Sequence, residues 1–313
     1  MNSEVDGNRQ YSRRAHPVSN IYGLKNLLSN GACAFLAPTL AVAIALMDVA
    51  QLLPLVFLSG PLAYRAQFVL HDASHRSLLR SASVADFLAT AVGVAVGVDF
   101  QQYKRNHLDH HRFAGTSRDP QYGDFSDPTS SSGEFISFLL SPLFGYRLFS
   151  YLRRELKLGP PLKKASARRV AIVSGGPPVR SPRSAKRIIV LFHSSLALVT
   201  LSFAPRMPLA VVALTLFYCA LASFSLTLAR WRGVAEHQTF DTPLEGFSRN
   251  HKKQIFDRLL LSGSNFNFHL THHLFPTLPP NYLPEVTRLE GLPVDQHSMV
   301  RTLIVQTSLR LKR

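Results

Sequence analysis

Residues 188 to 229 read IIVLFHSSLALVTLSFA, PRMP, LAVVALTLFYCALASFSLTLA. The outer segments, Ile188–Ala204 and Leu209–Ala229, are apolar runs close to the ~20 residues that crossing the hydrocarbon core of a bilayer requires. Pro205, Arg206, Met207 and Pro208 form a compact turn between them, so the stretch reads as a helical hairpin in a membrane. A second hairpin lies upstream. Gly31–Leu70 is apolar but broken near Asp48–Gln51, which predicts one span over Gly31–Met47 and another over Val49–Leu70. Pro38, Pro54 and Pro61 are tolerable there because neighbouring helices satisfy the freed carbonyls. Arg65 must lie near the cytoplasmic interface, snorkel toward it, or face the protein interior.

The distribution of charge follows the same plan. Charged residues make up 17% of the chain, below the roughly 25% of an ordinary soluble domain. Between Tyr151 and Arg187 stand eleven Lys or Arg residues against one acid, Glu155, whereas the hairpin tips carry only Asp48 and Arg206. The positive-inside bias therefore puts this loop in the cytoplasm. Its Pro, Gly and Ser content predicts a solvated segment without a rigid fold, and its charge an attraction to anionic lipid. A net charge of +16 would suit a nucleic-acid binder. The basic residues, however, border apolar segments instead of interleaving with aromatics on a folded face, so a nucleic-acid partner is not expected. Cys33 and Cys219 sit alone in apolar runs, which argues against both a disulfide framework and a thiolate metal site. Residues 1–30 are polar and no short apolar core with a cleavage site follows, so the amino terminus is expected to remain cytoplasmic. Phe87–Val98, bounded by Asp86 and Asp99, is too short to span and predicts a re-entrant or interfacial helix; Glu134–Leu152 predicts an amphipathic helix lying on the membrane.

Nine of the thirteen histidines fall in four places, all on the side the charge bias makes cytoplasmic. His71 and His75 form H-x-x-x-H at the end of the second span. His107, His110 and His111 form H-x-x-H-H, His237 stands alone after the fourth span, and His269, His272 and His273 repeat H-x-x-H-H. On an α-helix residues four apart are separated by about 40°, and i, i+3 and i+4 all lie within about 100°. Each cluster is therefore expected to aim its imidazoles one way. Chance would give H-x-x-H-H only about 0.02 times at this histidine content, so a functional arrangement is the better account. Imidazole suits zinc, copper, iron and nickel. A single zinc site takes about four protein ligands, and nine exceed that, which points to two ions. Iron is favoured, because a redox-inactive ion does not explain a site directly beneath membrane spans, where O2 and apolar substrates concentrate; two zinc ions remain the competing assignment.

The segments HDASH (71–75), NHLDHHRFAGTSRDP (106–120), EH (236–237) and NFHLTHHLFPTLP (267–279) resemble the histidine boxes of the membrane fatty acid desaturase family. The likeness runs from the first hairpin to about Leu283. It implies an all-α integral membrane fold, with four transmembrane helices in two hairpins and a cytoplasmic helical cap carrying a di-iron site. On that basis the chain forms a single domain over 1–313. This comprises a cytoplasmic tail (1–30), the first hairpin (31–70), a cytoplasmic region with the first two boxes and the basic loop (71–187), the second hairpin (188–230), and a cytoplasmic region with the lone histidine and the third box (231–313). The implied ligands are His71, His75, His107, His110, His111, His237, His269, His272 and His273. The implied cofactors are two iron ions, with O2 as co-substrate, and electrons come from a separate carrier of ferredoxin or cytochrome b5 type, since no H-P-G-G segment is fused to the chain. Two positions depart from relatives. Gly233 stands where the acyl-CoA branch has an asparagine that supports the second iron through water, and Thr271 stands where many relatives have Glu. Asp72, Asp109, Glu236, Asn265 and Asn267 are candidates to orient the ligands by accepting their remaining N–H protons. His16, His193, His251 and His297 lie outside the boxes.

The chemistry that needs such a site is oxidation of an unactivated C–H bond. The expected reaction is O2-dependent introduction of a double bond into a fatty acyl chain or similar lipid-like substrate. Hydroxylation or ketolation of a carotenoid, sterol, alkyl chain or small amphiphile is the alternative. A metal-handling transporter or sensor fits less well, because transporters place their sites near the bilayer midplane, and these clusters lie beyond the span ends.

Overall fold

Residues 20–30, the polar stretch just ahead of the first apolar run, are helical. The computed structural model describes residues 16–116, 118–121, 131–145, 183–237, 248–263 and 265–311, and helix α1 spans Asn20–Leu46. It starts at Ser19, whose hydroxyl accepts from Tyr22 N at 3.3 Å, and not at Gly31. The two asparagines of these added turns face protein. Asn26 Nδ2 donates to Asp72 Oδ2 at 2.7 Å and Asn30 Nδ2 donates to Asn26 Oδ1 at 2.8 Å, both asparagines being buried. A buried amide left unpaired would cost about 1–3 kcal/mol. The residues that make this stretch resemble a soluble tail are thus the ones that dock it onto the next helix.

Helix α2 spans Ala50–Ser74, with tight 3-10 turns over Ala50–Leu58 around Pro54, and follows α1 after Met47–Val49. After α3 (Ala82–Ala95), α4 (Phe100–Phe113) and α5 (Ser132–Leu140) come α6 (Arg183–Phe203) and α7 (Met207–His237). Helix α7 continues through Ala229, the expected end of the fourth span, as far as His237, with a π turn at Leu221–Ser225. Such turns inside α-helices occur frequently near functional sites. Gly60 sets the approach of α2 to α7: a Cβ there would stand 2.5 Å from Phe224 Cβ and 2.7 Å from Ala220 O. This close packing brings the C-terminal ends of α2 and α7, with their histidines, side by side. The opposite ends also meet, since Arg206 forms an ion pair with Asp48.

Four helices, α1, α2, α6 and α7, are long and apolar enough to cross a membrane. Phe35, Leu36, Leu191, Leu198 and Val211 point outward from them and are exposed. Only 6% of the most apolar stretch of α6 is buried. Apolar surface of that extent has no place in water, and the chain is a membrane protein. Helix α3 is too short to cross, at 14 residues or about 21 Å against the ~30 Å of a hydrocarbon core. It ends in a turn closed by Val98 N donating to Gly93 O at 2.7 Å, with Gly97 at φ 74° in the left-handed conformation this cap needs. Helix α4 then leaves at 107° to α3. Asp99 caps it, accepting from Gln101 N at 2.9 Å and Gln102 N at 3.2 Å. The expected helix over Glu134–Leu152 appears as α5 and a turn to Gly145; residues 146–152 lie outside the described residues, as do residues 1–15 and the basic segment up to residue 182.

The C-terminal part is built on the ends of α2 and α7. Two two-residue strands, β1 (Asn250–His251) and β2 (Val294–Asp295), pair in parallel, the one departure from the expected all-α class among the described residues. Around them lie α8 (Ile255–Leu260), α9 (His269–Leu274), α10 (Leu283–Leu289) and α11 (Met299–Leu311). The buried carboxylate of Asp257 caps α11 by accepting from Met299 N at 2.9 Å and Val300 N at 3.1 Å. Tyr64 OH donates to Leu261 O at 2.7 Å, and Arg65 donates to Leu259 O at 3.0 Å and Arg258 O at 3.4 Å. Arg65 is therefore accommodated by the last carbonyls of α8, where a cation also complements the helix dipole.

Candidate metal centre

Each histidine is delivered by an element already described. His71 lies in the last turn of α2 and His75 caps it; His107, His110 and His111 lie on α4; His237 is the last residue of α7; and His269, His272 and His273 lie on α9. The fold brings all nine together in two adjacent groups, each with its ligand atoms within 4.8 Å of one another. His71, His75, His107, His111 and His272 form one group; His110, His237, His269 and His273 form the other. Every H-x-x-H-H motif serves both groups. The rings of His111 and His273, one from each group, stack with centroids 4.2 Å apart.

The nitrogens are placed as donors around common points. His272 Nε2 lies 3.0 Å from His111 Nε2, His237 Nε2 lies 3.0 Å from His269 Nε2, and His273 Nε2 lies 3.1 Å from His269 Nε2. Two nitrogens bound to one ion at about 2.0–2.1 Å, with angles between right and tetrahedral, would stand about 3.0–3.4 Å apart. A histidine cluster serving only as a polar core would pair its ring nitrogens with acceptors. Here Nε2 of His71 and Nε2 of His107 are buried with no hydrogen-bond partner among the described residues. Burial, reinforced by neighbouring imidazoles, pushes the pKa of His269, His272 and His273 well below the ordinary histidine range. The rings are thus neutral at neutral pH, the form in which a lone pair is available to a metal. The donor set fits two ions of the imidazole-preferring kind.

Behind the rings stand carboxylates. His71 Nδ1 contacts Asp72 Oδ1 at 3.2 Å, and Asp72 is itself held by Asn26 and by Tyr22 OH at 3.2 Å. His110 Nδ1 contacts Asp119 Oδ2 at 2.9 Å. Glu236 Oε1 accepts from Arg232 Nε at 2.7 Å, and its Oε2 lies 3.4 Å from His269 Nε2. Among the expected orienting residues, Asp72 reaches the second nitrogen of a ring, whereas Glu236 reaches the nitrogen of His269 that faces His237 and His273. Asn265 and Asn267 instead donate to Pro280 O and His251 O, and Asp109 makes no hydrogen bond to an imidazole among the described residues. Asp119 was not singled out, although it sits inside the second box segment, because nine residues separate it from His110 and no helical spacing links them.

The third box is held from outside. Thr271 N donates to Asn250 Oδ1 at 3.1 Å, Asn250 Nδ2 donates to Thr271 Oγ1 at 3.1 Å, and Thr271 Oγ1 lies 2.6 Å from Thr287 Oγ1. Thr271 thus joins a neutral network that fixes α9. His251 adds to it, its Nε2 3.0 Å from Ala235 O and its backbone N donating to Asn267 O at 2.7 Å. His193 packs between Val94 O, at 3.0 Å, and Tyr218 OH, at 3.3 Å, tying α6 to α3 and α7. His16 packs edge-on against Tyr282 and His297 contacts Asp295, so neither joins the centre.

Phe266, Pro280 and Leu283 line a narrow crevice, too tight for a water molecule, together with His71, His269 and His272 from both groups. The model of the fatty acid desaturase family matches residues 49–301, from the start of α2 into α11 and across every histidine of the centre. A match over most of the chain, with four membrane-crossing helices and a buried histidine cluster able to hold metal, shows that the chain belongs to the fatty acid desaturase family, a family of oxidoreductases.

Proposed function

We propose that this chain is an O2-dependent di-iron desaturase that introduces a double bond into a fatty acyl chain or a similar lipid-like substrate. One iron would be held by His71, His75, His107, His111 and His272, the other by His110, His237, His269 and His273. The observation that carries this reading is the division of nine imidazoles into two adjacent sets at the C-terminal ends of α2 and α7. When bound, the iron pair supplies the O2 activation that removal of hydrogen from an unactivated C–H bond requires. The remaining work belongs to the chain. Asp72 and Asp119 fix the orientation of His71 and His110. Phe266, Pro280 and Leu283 pack against rings of both groups and keep water from them on that side.

The reading extends to placement. The four long helices form two transmembrane hairpins, α1 with α2 and α6 with α7, their tips joined by the pair of Asp48 and Arg206. The basic segment before α6 keeps the histidine-bearing ends on the cytoplasmic side. There a separate donor of ferredoxin or cytochrome b5 type supplies electrons, while membrane lipids cover the outward apolar faces. The test is iron content and Mössbauer spectroscopy of the purified protein, followed by mass spectrometry of lipids from an expressing host. Two irons per chain and a new double bond are expected. An iron-loaded, reducible protein that leaves every lipid unchanged would overturn the reading, and a new hydroxyl or ketone would replace desaturation by oxygen insertion.

A further inference from the structure

The two histidine groups are unequal, five nitrogens in one and four in the other. One helical turn before His237 the chain carries Gly233, which has no side chain to offer as a further donor. The residue before His237, Glu236, brings a carboxylate oxygen close to this group. Glu236 is 3% exposed, and its two carboxylate oxygens have different surroundings. Oε1 accepts from Arg232 Nε at 2.7 Å. Oε2 points the other way and lies 3.4 Å from His269 Nε2, the nitrogen that is itself 3.0 Å from His237 Nε2 and 3.1 Å from His273 Nε2. A charge-assisted hydrogen bond would be shorter, about 2.7–2.9 Å. Two donors sharing one ion would stand at about the observed distance. Arginine ordinarily takes both oxygens of a carboxylate in a fork; here it takes one and leaves the second facing the imidazoles.

Arg232 cannot follow the carboxylate if it moves. It is 7% exposed, and its guanidinium lies 4.7 Å from the ring centre of Phe266 and 5.6 Å from that of Phe68. The arginine therefore acts as a fixed anchor that aims Glu236.

We propose that Glu236 Oε2 is the fifth donor of the four-histidine half, so that this half is built from four nitrogens and one anionic oxygen while its neighbour is built from five nitrogens. The proposal rests on the two-ion reading of the site. Arg232 is the positioning residue, since it touches the carboxylate and not the ions. A carboxylate is a harder ligand than imidazole, so the two halves differ in metal preference and in electronic environment.

The test uses the full-length protein purified in detergent, loaded anaerobically with ⁵⁷Fe(II), and read by iron per chain and by Mössbauer spectra. Wild type is expected to give two irons and two quadrupole doublets of equal area. His273→Ala, which removes a nitrogen of the four-histidine half, identifies the doublet of that half. Glu236→Gln is expected to lose the same doublet, with iron falling from two to about one per chain, or with the second ion bound at least about 10-fold more weakly. Two irons with both doublets unchanged in Glu236→Gln would overturn the proposal. If the metal-free Glu236→Gln protein melts well below metal-free wild type, Glu236→Asp carries the test: it keeps the charge and withdraws the oxygen by one methylene. Weaker binding confined to the same doublet supports the proposal, and unchanged binding overturns it. A wild-type protein that takes up no iron would instead overturn the two-ion reading, and this proposal with it.

Discussion

The two H-x-x-H-H motifs share one pattern and have opposite assignments. The motif on α4 gives its outer pair, His107 and His111, to the five-histidine group and its middle residue, His110, to the other. The motif on α9 gives its outer pair, His269 and His273, to the four-histidine group and its middle residue, His272, to the five. Helical geometry explains the exchange. Residues four apart diverge by about 40°, whereas the middle residue lies about 100° from the last, far enough to address a neighbouring point. The motifs are also supported by different means. Helix α4 has 14 residues and its own cap from Asp99. Helix α9 has six, too few to persist by itself when isolated helices shorter than ~12–15 residues are marginal. It is held by Asn250 and Thr287 instead. Equivalent donor geometry thus comes from local helix propensity in one case and from tertiary contacts in the other.

The strongest way to break this exchange is to delete one outer member from each motif. His111→Ala should weaken the ion of the five-histidine group and His273→Ala that of the four-histidine group, each by more than about 100-fold and each with product formation lost. Metal counting with Mössbauer spectra distinguishes them, because different doublets disappear. If both variants remove the same doublet, the assignment of the motifs to separate groups is wrong. A smaller effect should follow from Asp119→Asn. It deprives His110 of its carboxylate partner and is expected to cost about 10–100-fold in metal affinity, confined to the four-histidine group although His110 sits on the α4 motif. Competition against a chelator, monitored through the two doublets, reads that selectivity.

How far this arrangement could be read in advance depended on the range of the interactions involved. The four long helices were legible because crossing a bilayer imposes a length and a polarity that a sequence displays directly. The histidines were legible because nine of them cluster in motifs that composition does not explain. What sequence reasoning missed came from contacts between distant segments. The first helix was expected at Gly31 because Asn26 and Asn30 read as polar tail; both are buried, Asn30 donating to Asn26 and Asn26 to Asp72, far along the chain. Helix α7 was expected to stop at Ala229, where the apolar run gives way to Arg230 and Arg232. Arg230 instead donates to Phe138 O at 2.7 Å, and Arg232 lies over the rings of Phe266 and Phe68. Asp119 carried no local periodicity, and the exchange of His110 and His272 between groups depends on how α4 and α9 face each other. In each case a polar residue satisfied by a remote partner looks, in sequence, like one satisfied by water.

The difference in support can be sharpened by weakening each motif at its own anchor. Thr271→Val keeps the shape of the side chain but removes the hydroxyl shared by Asn250 and Thr287. Leaving those buried groups without it should cost about 1–3 kcal/mol. The loss should be seen as a lower melting temperature of the metal-free protein and as faster amide exchange across α9, with α4 unaffected. Thr271→Ser, which restores the hydroxyl, should recover most of it. Equal exchange in α9 of the Val variant and wild type would show that this network does not hold the helix.

Asp99→Ala probes the other anchor and should have the smallest effect. Removing a side-chain N-cap costs typically about 1 kcal/mol, within a range of about 0.5–2, and a helix of this length with one face packed on α2 and α3 tolerates a frayed first turn. His107 begins two turns beyond Asp99, so fraying there should not reach the donors. The expected result is faster exchange at the amides of Gln101 and Gln102, which Asp99 now accepts from, with both ions still bound at wild-type affinity. If this variant instead released an ion, α4 would depend on its cap as α9 depends on its neighbours. The contrast between a motif carried by its own helix and one carried by the surrounding fold would then be lost.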